Sequence, residues 1–245
     1  MSDKPQAQDH GHILVAEDDV VVQMVVRKIL EDAGYTMDLA VDGQEAVTAL
    51  ESAHYDLVLM DCFMPRMNGF EATETIRNAS YAGINPEIPV IAMTGLTEEV
   101  DQRRCLDAGM QRVISKPFNA QTLITEIEQC LAGPEDTDSV PDQPIKLKPQ
   151  IWDDDFLDSV IDEFLEEVPK VIKDLQQAVD QGDAVQLGSI AHRFRGSSDI
   201  LNASGLSARS RVLEQAVKAG EIELAVTHAT ELIAELHKLT SILAE

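Results

Sequence analysis

The sequence predicts an α/β doubly wound domain with a five-stranded parallel sheet, followed by an all-α antiparallel helical bundle. Three observations predict this pair. Short apolar runs alternate with amphipathic helical patterns in the first part, a proline-bearing stretch interrupts them, and no strand-like run follows. We expect the first domain to cover 12–132, a linker 133–150, and the second domain 151–245.

The first domain alternates between strand and helix patterns. The expected strands are 12–16, 36–40, 56–60, 88–93 and 111–115. The expected helices are 20–33, 44–52, 70–78, 98–108 and 120–131. Short apolar strands that alternate with helices favour a parallel sheet with helices on both faces.

The second domain shows helical patterns alone. The linker, GPEDTDSVPDQPIKLKPQ, holds four prolines and no usable periodicity. The expected helices are 154–168, 169–181, 184–201, 206–219 and 222–243. A new helix is expected at Pro169, because the first turn of a helix does not need the missing N–H. Short connections favour an antiparallel up-down bundle.

Composition limits the class of partner. A formal net charge of -25 argues against nucleic acid and against an anionic membrane surface, because both repel acidic proteins. The three cysteines lack ligand-like spacing and indicate thiols in a reducing compartment. The N-terminus has no apolar signal core, and no run approaches the length that spans a bilayer. We therefore expect a cytoplasmic chain with no membrane insertion.

Reactive side chains follow the predicted strands. Glu17 and Asp18 come after the first strand, Asp61 after the third, Thr94 after the fourth and Lys116 after the fifth. In a parallel α/β sheet these strand ends meet in one crevice. Converging carboxylates repel each other unless a cation lies among them, and Mg²⁺ suits oxygen ligands. An aspartate could then attack phosphorus, while the metal, the hydroxyl and the ammonium neutralise the phosphoryl oxygens.

Each of these residues also has an ordinary structural interpretation. Acids after a strand often cap the next helix, so Asp18 or Asp19 could do only that. A Lys-Pro pair, as at Lys116, usually marks a loop. Chemically complementary residues at four neighbouring strand ends favour a shared site.

Residues 12–131 resemble a response-regulator receiver domain, which has a flavodoxin-like fold. The matching stretches are ILVAEDD, DLVLMDCFMPRMNGFEA, PVIAMTG and SKPF. The resemblance implies that Asp61 is the phosphoryl acceptor and a ligand of Mg²⁺. It further implies Glu17, Asp18 and the backbone carbonyl of Phe63 as metal ligands. Asp19 remains a predicted helix cap.

The resemblance also implies that Thr94 is the switch hydroxyl and that Lys116 pairs with the phosphate. The loop from Met64 to Gly69 fits the tight turn of the family, in which glycine tolerates a positive φ. One position departs from the family pattern. Val113 stands three residues before the lysine, where the family usually has an aromatic residue or histidine, so a large aromatic rotation is not available.

A second candidate site lies in the stretch AHRFRGSSDIL, at 191–201. A helical histidine is by default a surface or satisfied residue. Arg195 and Gly196, however, lie three and four residues after His192, on the same helical face. A neutral imidazole can attack phosphorus, and nearby cations would hold the resulting dianion. Four arginines fall in this predicted helix pair: Arg193, Arg195, Arg209 and Arg211.

Residues 151–245 resemble a histidine phosphotransfer (HPt) domain, through this stretch and the later Leu213-Glu214. The resemblance implies His192 as phosphoryl acceptor, Arg195 as its basic partner and Gly196 as the residue that leaves room for another domain. Asn202 replaces the usual glycine. Asparagine also tolerates a left-handed φ, so we expect the turn to survive.

The sequence thus predicts a two-component phosphorelay protein, whose partners are a histidine kinase or other receiver domains. It holds no recognisable ATP-binding kinase motif or DNA-binding domain, and whether it counts as an enzyme stays open. Alternatives are a non-catalytic interaction scaffold, the C-terminal part of a hybrid sensor kinase, and an aspartyl phosphatase. The common phosphatase needs a second Asp at the position of Phe63.

Overall fold

The protein divides into two compact units, which we call the α/β unit and the helical unit. A computed structural model describes residues 10–79, 83–95, 99–132 and 152–243. The predicted linker, 133–150, lies outside the described residues.

The α/β unit is built on a five-stranded sheet in which every pairing is parallel. The strands are β1 (His12–Ala16), β2 (Thr36–Ala40), β3 (Leu57–Asp61), β4 (Val90–Thr94) and β5 (Arg112–Ser115). Their order across the sheet is β2-β1-β3-β4-β5. Every residue of β3 and β4 is buried, as expected for strands that are covered on both faces. The predicted doubly wound fold is confirmed.

A helix follows each of these strands: α1 (Val20–Asp32), α2 (Gly43–Ser52), α3 (Gly69–Arg77), α4 (Glu99–Asp107) and α5 (Ala120–Leu131). Asp19 caps α1, as predicted, because its Oδ1 accepts a hydrogen bond from the Val22 backbone N–H at 3.1 Å. Asn68 and Glu71 form a capping box at the start of α3. These caps fix where each helix leaves the edge of the sheet.

In the loop from Met64 to Gly69, glycine was expected for its tolerance of a positive φ, but the structure requires Gly69 for a different reason. The residue with a positive φ is Arg66, at 64°. Gly69 is required by a close approach, because a Cβ there would lie 2.1 Å from the carbonyl oxygen of Asp61. The glycine therefore allows α3 to start directly against the end of β3.

The helical unit contains, within 152–243, the helices α6 (Asp154–Gln181), α7 (Ala184–Ile200), α8 (Ser204–Lys218) and α9 (Ile222–Leu243). The expected break at Pro169 is wrong, since Pro169 lies inside the continuous α6. Proline removes one backbone hydrogen bond there. Buried Val168, Val171 and Ile172 flank it, so packing of one long apolar face outweighs that loss.

Short turns connect the helices of the bundle. Gly182 ends α6 with a φ of 64°, and Asn202 follows α7 with a φ of 53°. The left-handed turn expected at Asn202 is thus present. Phe164 of α6 stacks on Phe194 of α7, with ring centroids 5.3 Å apart. None of the described helices is both long and apolar enough to cross a membrane.

Candidate functional sites

The first site is an acidic cluster at the carboxyl ends of β1 and β3. Glu17 and Asp18 directly follow β1, and Asp61 is the last residue of β3. One carboxylate oxygen from each lies within 4.8 Å of the others. Because β1 and β3 are neighbours in the sheet, acids 44 residues apart in sequence converge as predicted.

Lys116 reaches this cluster from the residue after β5. Its Nζ lies 2.6 Å from Glu17 Oε2 and 2.6 Å from Asp61 Oδ2. All three side chains are buried. Burial acts to lower the pKa of Lys116, but the charges of Asp61 and then Glu17 outweigh it and raise that pKa. Lys116 is therefore an ammonium ion held between two carboxylates.

Thr94 and Phe63 complete the surroundings of Asp61. Thr94 is the last residue of β4 and is fully buried. Its backbone carbonyl accepts a hydrogen bond from the Lys116 N–H, at 2.6 Å. The Phe63 backbone N–H donates to Asp61 Oδ1 at 3.1 Å. The structure thus brings Thr94, Lys116 and Phe63 to the strand end that carries Asp61.

Two further contacts surround this site. The half-buried Val113 packs against the apolar core of the α/β unit. The buried thiols of Cys62 and Cys105 lie 3.5 Å apart. The hydrogen bond with Cys105, followed by burial, raises the pKa of Cys62, so the Cys62 thiol stays neutral and packs. Sequence reasoning missed this pair, because 43 residues separate its members.

The second site lies between α7 and α8. His192 Nδ1 is 3.4 Å from Glu214 Oε2 and 3.4 Å from Arg195 Nη2. Arg195 Nε donates to the other oxygen of Glu214, at 2.6 Å. Burial acts to raise the pKa of Glu214, but the interactions with His192 and then Arg195 lower it overall. Glu214 is a carboxylate that holds both side chains.

The same arginine contacts a second carboxylate. Arg195 Nη1 lies 3.4 Å from Asp199 Oδ2, one helical turn further along α7. Ser207 of α8 donates a hydrogen bond to Asp199 Oδ1. Sequence reasoning missed the roles of Glu214, Asp199 and Ser207. The spacing of Arg195 and Asp199, four residues apart on one helix, could have indicated their ion pair.

Two other expectations concern the surface around His192. No atom of α6, α8 or α9 that the structure describes lies within 4 Å of a Cβ placed on Gly196. Gly196 therefore does not serve close helix packing inside the bundle. The four arginines do lie in the helix pair α7 and α8, and Arg209 among them pairs with Glu231 of α9 at 3.5 Å.

Two domain families account for most of the chain. The model of the "Response regulator receiver domain" matches residues 13–128. The model of the "Hpt domain" matches residues 159–242. Proteins that combine these domains belong to the two-component phosphorelay class. The chain carries a response regulator receiver domain followed by an Hpt domain, as its sequence predicts.

Curated relatives include hybrid kinases. Hybrid signal transduction histidine kinase K of Dictyostelium discoideum is 38% identical over 128 residues, which are 51% of this chain and 11% of that protein. Histidine kinase 1 of Arabidopsis thaliana is 33% identical over 148 residues, covering 47% of this chain and 12% of that protein. The chain thus spans only a small part of these relatives.

Among solved structures, the receiver domain of sensor histidine kinase PA1611 from Pseudomonas aeruginosa PAO1 is 36% identical, with a TM-score of 0.46. The match covers 50% of this chain and 98% of that one, which is described with a magnesium ion coordinated in its active site cleft. Chemotaxis response regulator CheY4 of Vibrio cholerae is 28% identical, with a TM-score of 0.46, and the match covers 49% of this chain and 97% of that one.

Proposed function

We propose that this protein carries phosphoryl groups on two residues, Asp61 of its receiver domain and His192 of its Hpt domain. The observation that best supports this is the buried contact of Lys116 with both Asp61 and Glu17, at 2.6 Å each. A buried ammonium beside a carboxylate is suited to neutralise a phosphoryl group that arrives on that carboxylate.

The acidic cluster also fits a magnesium ion. The carboxylates of Glu17, Asp18 and Asp61 lie together, and the Lys116 ammonium contacts those of Glu17 and Asp61. Mg²⁺ prefers hard oxygen ligands, and bonds of about 2.1 Å place its ligand atoms no more than about 4.2 Å apart. The observed separations, within 4.8 Å, need only a small closure. When bound, Mg²⁺ would neutralise charge on the phosphoryl oxygens, with Glu17, Asp18, Asp61 and the Phe63 carbonyl as its ligands.

The chain's own residues would position the phosphoryl group on Asp61. The Lys116 ammonium holds the carboxylate through Oδ2, and the Phe63 N–H holds it through Oδ1. We assign the buried hydroxyl of Thr94 to a third phosphoryl oxygen. As the bond from Asp61 to phosphorus forms, the bond between phosphorus and the donor would break, which is P–N in a phosphohistidine and P–O in acetyl phosphate.

At the second site the geometry favours Nε2 of His192 as the acceptor atom. A phosphoryl group on Nδ1 would meet the Glu214 carboxylate, which lies 3.4 Å away. With the proton on Nδ1 and shared with Glu214, Nε2 carries the lone pair that attacks phosphorus. The P–O bond to a phosphorylated aspartate breaks as the Nε2–P bond forms. Glu214 keeps the Nδ1 proton in place throughout.

Partners and location follow from this chemistry. We infer that histidine kinases and other receiver domains exchange phosphoryl groups with this chain, in the cytoplasm. The three free cysteines support a reducing compartment. We keep the proposed limits of the receiver domain at 12–132, the linker at 133–150 and the Hpt domain at 151–245.

Incubation with acetyl phosphate and Mg²⁺ tests the function of the first site. We expect a lasting, base-labile phosphoryl group on Asp61, detected by intact mass and lost in base. Continuous release of inorganic phosphate at a high turnover would support the phosphatase instead. No phosphorylation at all would support a scaffold.

A further inference from the structure

The inference concerns Asp199, which shares Arg195 with Glu214. Arg195 carries one positive charge and contacts two carboxylates, Glu214 at 2.6 Å and Asp199 at 3.4 Å. The side chains of Arg195, Glu214 and Asp199 are 6%, 9% and 11% exposed. Their charges are therefore screened less than charges at the surface. Arg195 therefore supplies one positive charge to two buried or nearly buried carboxylates.

Ser207 fixes the orientation of Asp199. Its hydroxyl donates to Oδ1, which leaves Oδ2 directed at Arg195 Nη1. Ser207 lies in the first turns of α8, so the bond ties Asp199 of α7 to the neighbouring helix. Asp199 is thus held where it competes for Arg195.

A phosphoryl group on His192 brings about two negative charges to this cluster. Arg195 Nη2 lies 3.4 Å from His192 Nδ1, across the ring from the proposed acceptor Nε2, so Arg195 has to turn around the ring to reach a phosphoryl group on Nε2. Turning Arg195 toward phosphate weakens its contact with Asp199 and leaves that buried carboxylate less compensated. The negative charge of Asp199 also repels the dianion directly.

Resting on the proposed function of His192, we propose that Asp199 destabilises phosphohistidine by withholding Arg195, and so makes the phosphoryl group easier to pass on. Asp199 is a positioning residue, since it acts through Arg195. Its effect lies on the equilibrium between phosphohistidine and histidine. A role in folding alone would change the stability of the bundle and leave that equilibrium unchanged.

The test measures this equilibrium in the full chain carrying Asp61→Asn, so that His192 is the proposed acceptor that remains. Potassium phosphoramidate and ammonium at fixed concentrations set the phosphoryl potential. The P–N bond of phosphoramidate breaks and ammonia leaves, while the Nε2–P bond forms and Nδ1 keeps its proton. The ratio of phosphohistidine to histidine is read by phosphorus NMR once it is constant.

We expect Asp199→Asn to raise this ratio about threefold or more, since one interaction of a partly screened charge is removed. Asp199→Ala removes the same charge with less bulk and should act in the same direction, which covers the case in which the asparagine variant does not fold. Asp199→Glu keeps the charge and should restore the reference ratio. The matched control is Asp180→Asn, an exposed acid in the last turn of α6, which should leave the ratio unchanged.

Equal or lower ratios in the folded variants Asp199→Asn and Asp199→Ala would overturn the proposal for Asp199. A rise of the same size in Asp180→Asn would overturn it too, since the effect would then be one of net charge. Absence of phosphohistidine in the reference chain would instead refute the proposed function of His192.

Discussion

The receiver domain and the Hpt domain place negative charge around a proposed phosphoryl acceptor in different ways. In the receiver, three carboxylates lie together and a buried ammonium contacts two of them, and the residues come from strand ends far apart in sequence. In the Hpt domain, two carboxylates share one guanidinium. His192, Arg195 and Asp199 lie in α7, and Glu214 and Ser207 lie in α8. The first site gathers carboxylate oxygens that suit a diffusible cation in addition to Lys116, whereas the second pairs its carboxylates with Arg195. The comparison teaches that similar chemistry can depend on metal in one domain and on internal ion pairing in the other.

The largest effect is expected when two acids of the receiver site are replaced. Replacing both Glu17 and Asp18 by Ala should reduce Mg²⁺-dependent phosphorylation by acetyl phosphate to background, because the metal loses two ligands. The free energy of unfolding without metal should stay the same or rise, since repulsion between acids is relieved. Phosphorylation is measured by intact mass over a magnesium titration. Unchanged magnesium dependence would show that these acids do not hold the ion.

The next prediction tests the buried ammonium of Lys116 in the receiver site. Lys116→Met leaves the buried carboxylates uncompensated and should lower the free energy of unfolding by about 3 kcal/mol in metal-free buffer. Lys28→Met is the matched control, because Lys28 pairs with the exposed Asp32 at 2.6 Å. That variant should change stability by less than about 1 kcal/mol. Urea unfolding followed by circular dichroism measures both, and equal losses would contradict the buried role of Lys116.

A smaller effect tests the carboxylate of the Hpt site. Glu214→Gln should destabilise the bundle by about 1–3 kcal/mol at pH 7, since hydrogen bonds to a charged group are lost. The pKa of Glu214 is lowered, so its stabilisation is present above the ordinary glutamate pKa, about 4.3, and is lost as pH falls through the lower folded value. The difference between the two proteins should therefore shrink in acid.

Trp152, the one tryptophan of the chain, stacks edge-on against Phe156 of α6 and reports unfolding of the bundle by fluorescence. Glu221→Gln, at an exposed position before α9, is the control and should behave like the unaltered protein. A stability difference for Glu214→Gln that does not depend on pH would rule out this carboxylate as its source.

The smallest effect concerns the lifetime of the phosphoryl group on Asp61. The ring of Phe63 packs edge-on against Phe70, with centroids 6.0 Å apart, and offers no group to orient water. Phe63→Asn should speed loss of the phosphoryl group several-fold, because an amide can position the attacking water. Phe63→Leu stays apolar and should decay at the original rate. Equal rates in both variants would mean that Phe63 only packs. Leu96, two residues after Thr94, is the other position that we expect to flank the path of the attacking water, and it lies outside the described residues.

The sequence predicts the receiver better than the Hpt site, and the reason is physical. Alternation of short strands with helices determines a parallel sheet, and the ends of parallel strands lie at one edge, so convergence of Glu17, Asp61 and Lys116 follows from topology. The network of Glu214 and Asp199 depends on how two helices are rotated against each other. Helical periodicity places residues on a face, but it does not say which side chains of a second helix that face meets.

The errors have local causes. Pro169 was expected to begin a helix, but the cost of one missing hydrogen bond is smaller than the packing of the buried residues around it. Gly69 was expected to need a positive φ, yet it is required by the nearby Asp61 carbonyl. Both outcomes depend on neighbours that the local sequence does not reveal.

The most direct test of the central claim, that Asp61 and His192 both carry the phosphoryl group, uses their different chemical stability. The full chain is labelled with radioactive acetyl phosphate and Mg²⁺, and samples are treated with base, which removes phosphate from aspartate but not from histidine. We expect base-labile and base-stable label in the unaltered chain, only base-labile label in His192→Gln, and neither in Asp61→Asn. Base-stable label that persists in His192→Gln, or that never forms in a chain whose Asp61 is phosphorylated, would contradict the account.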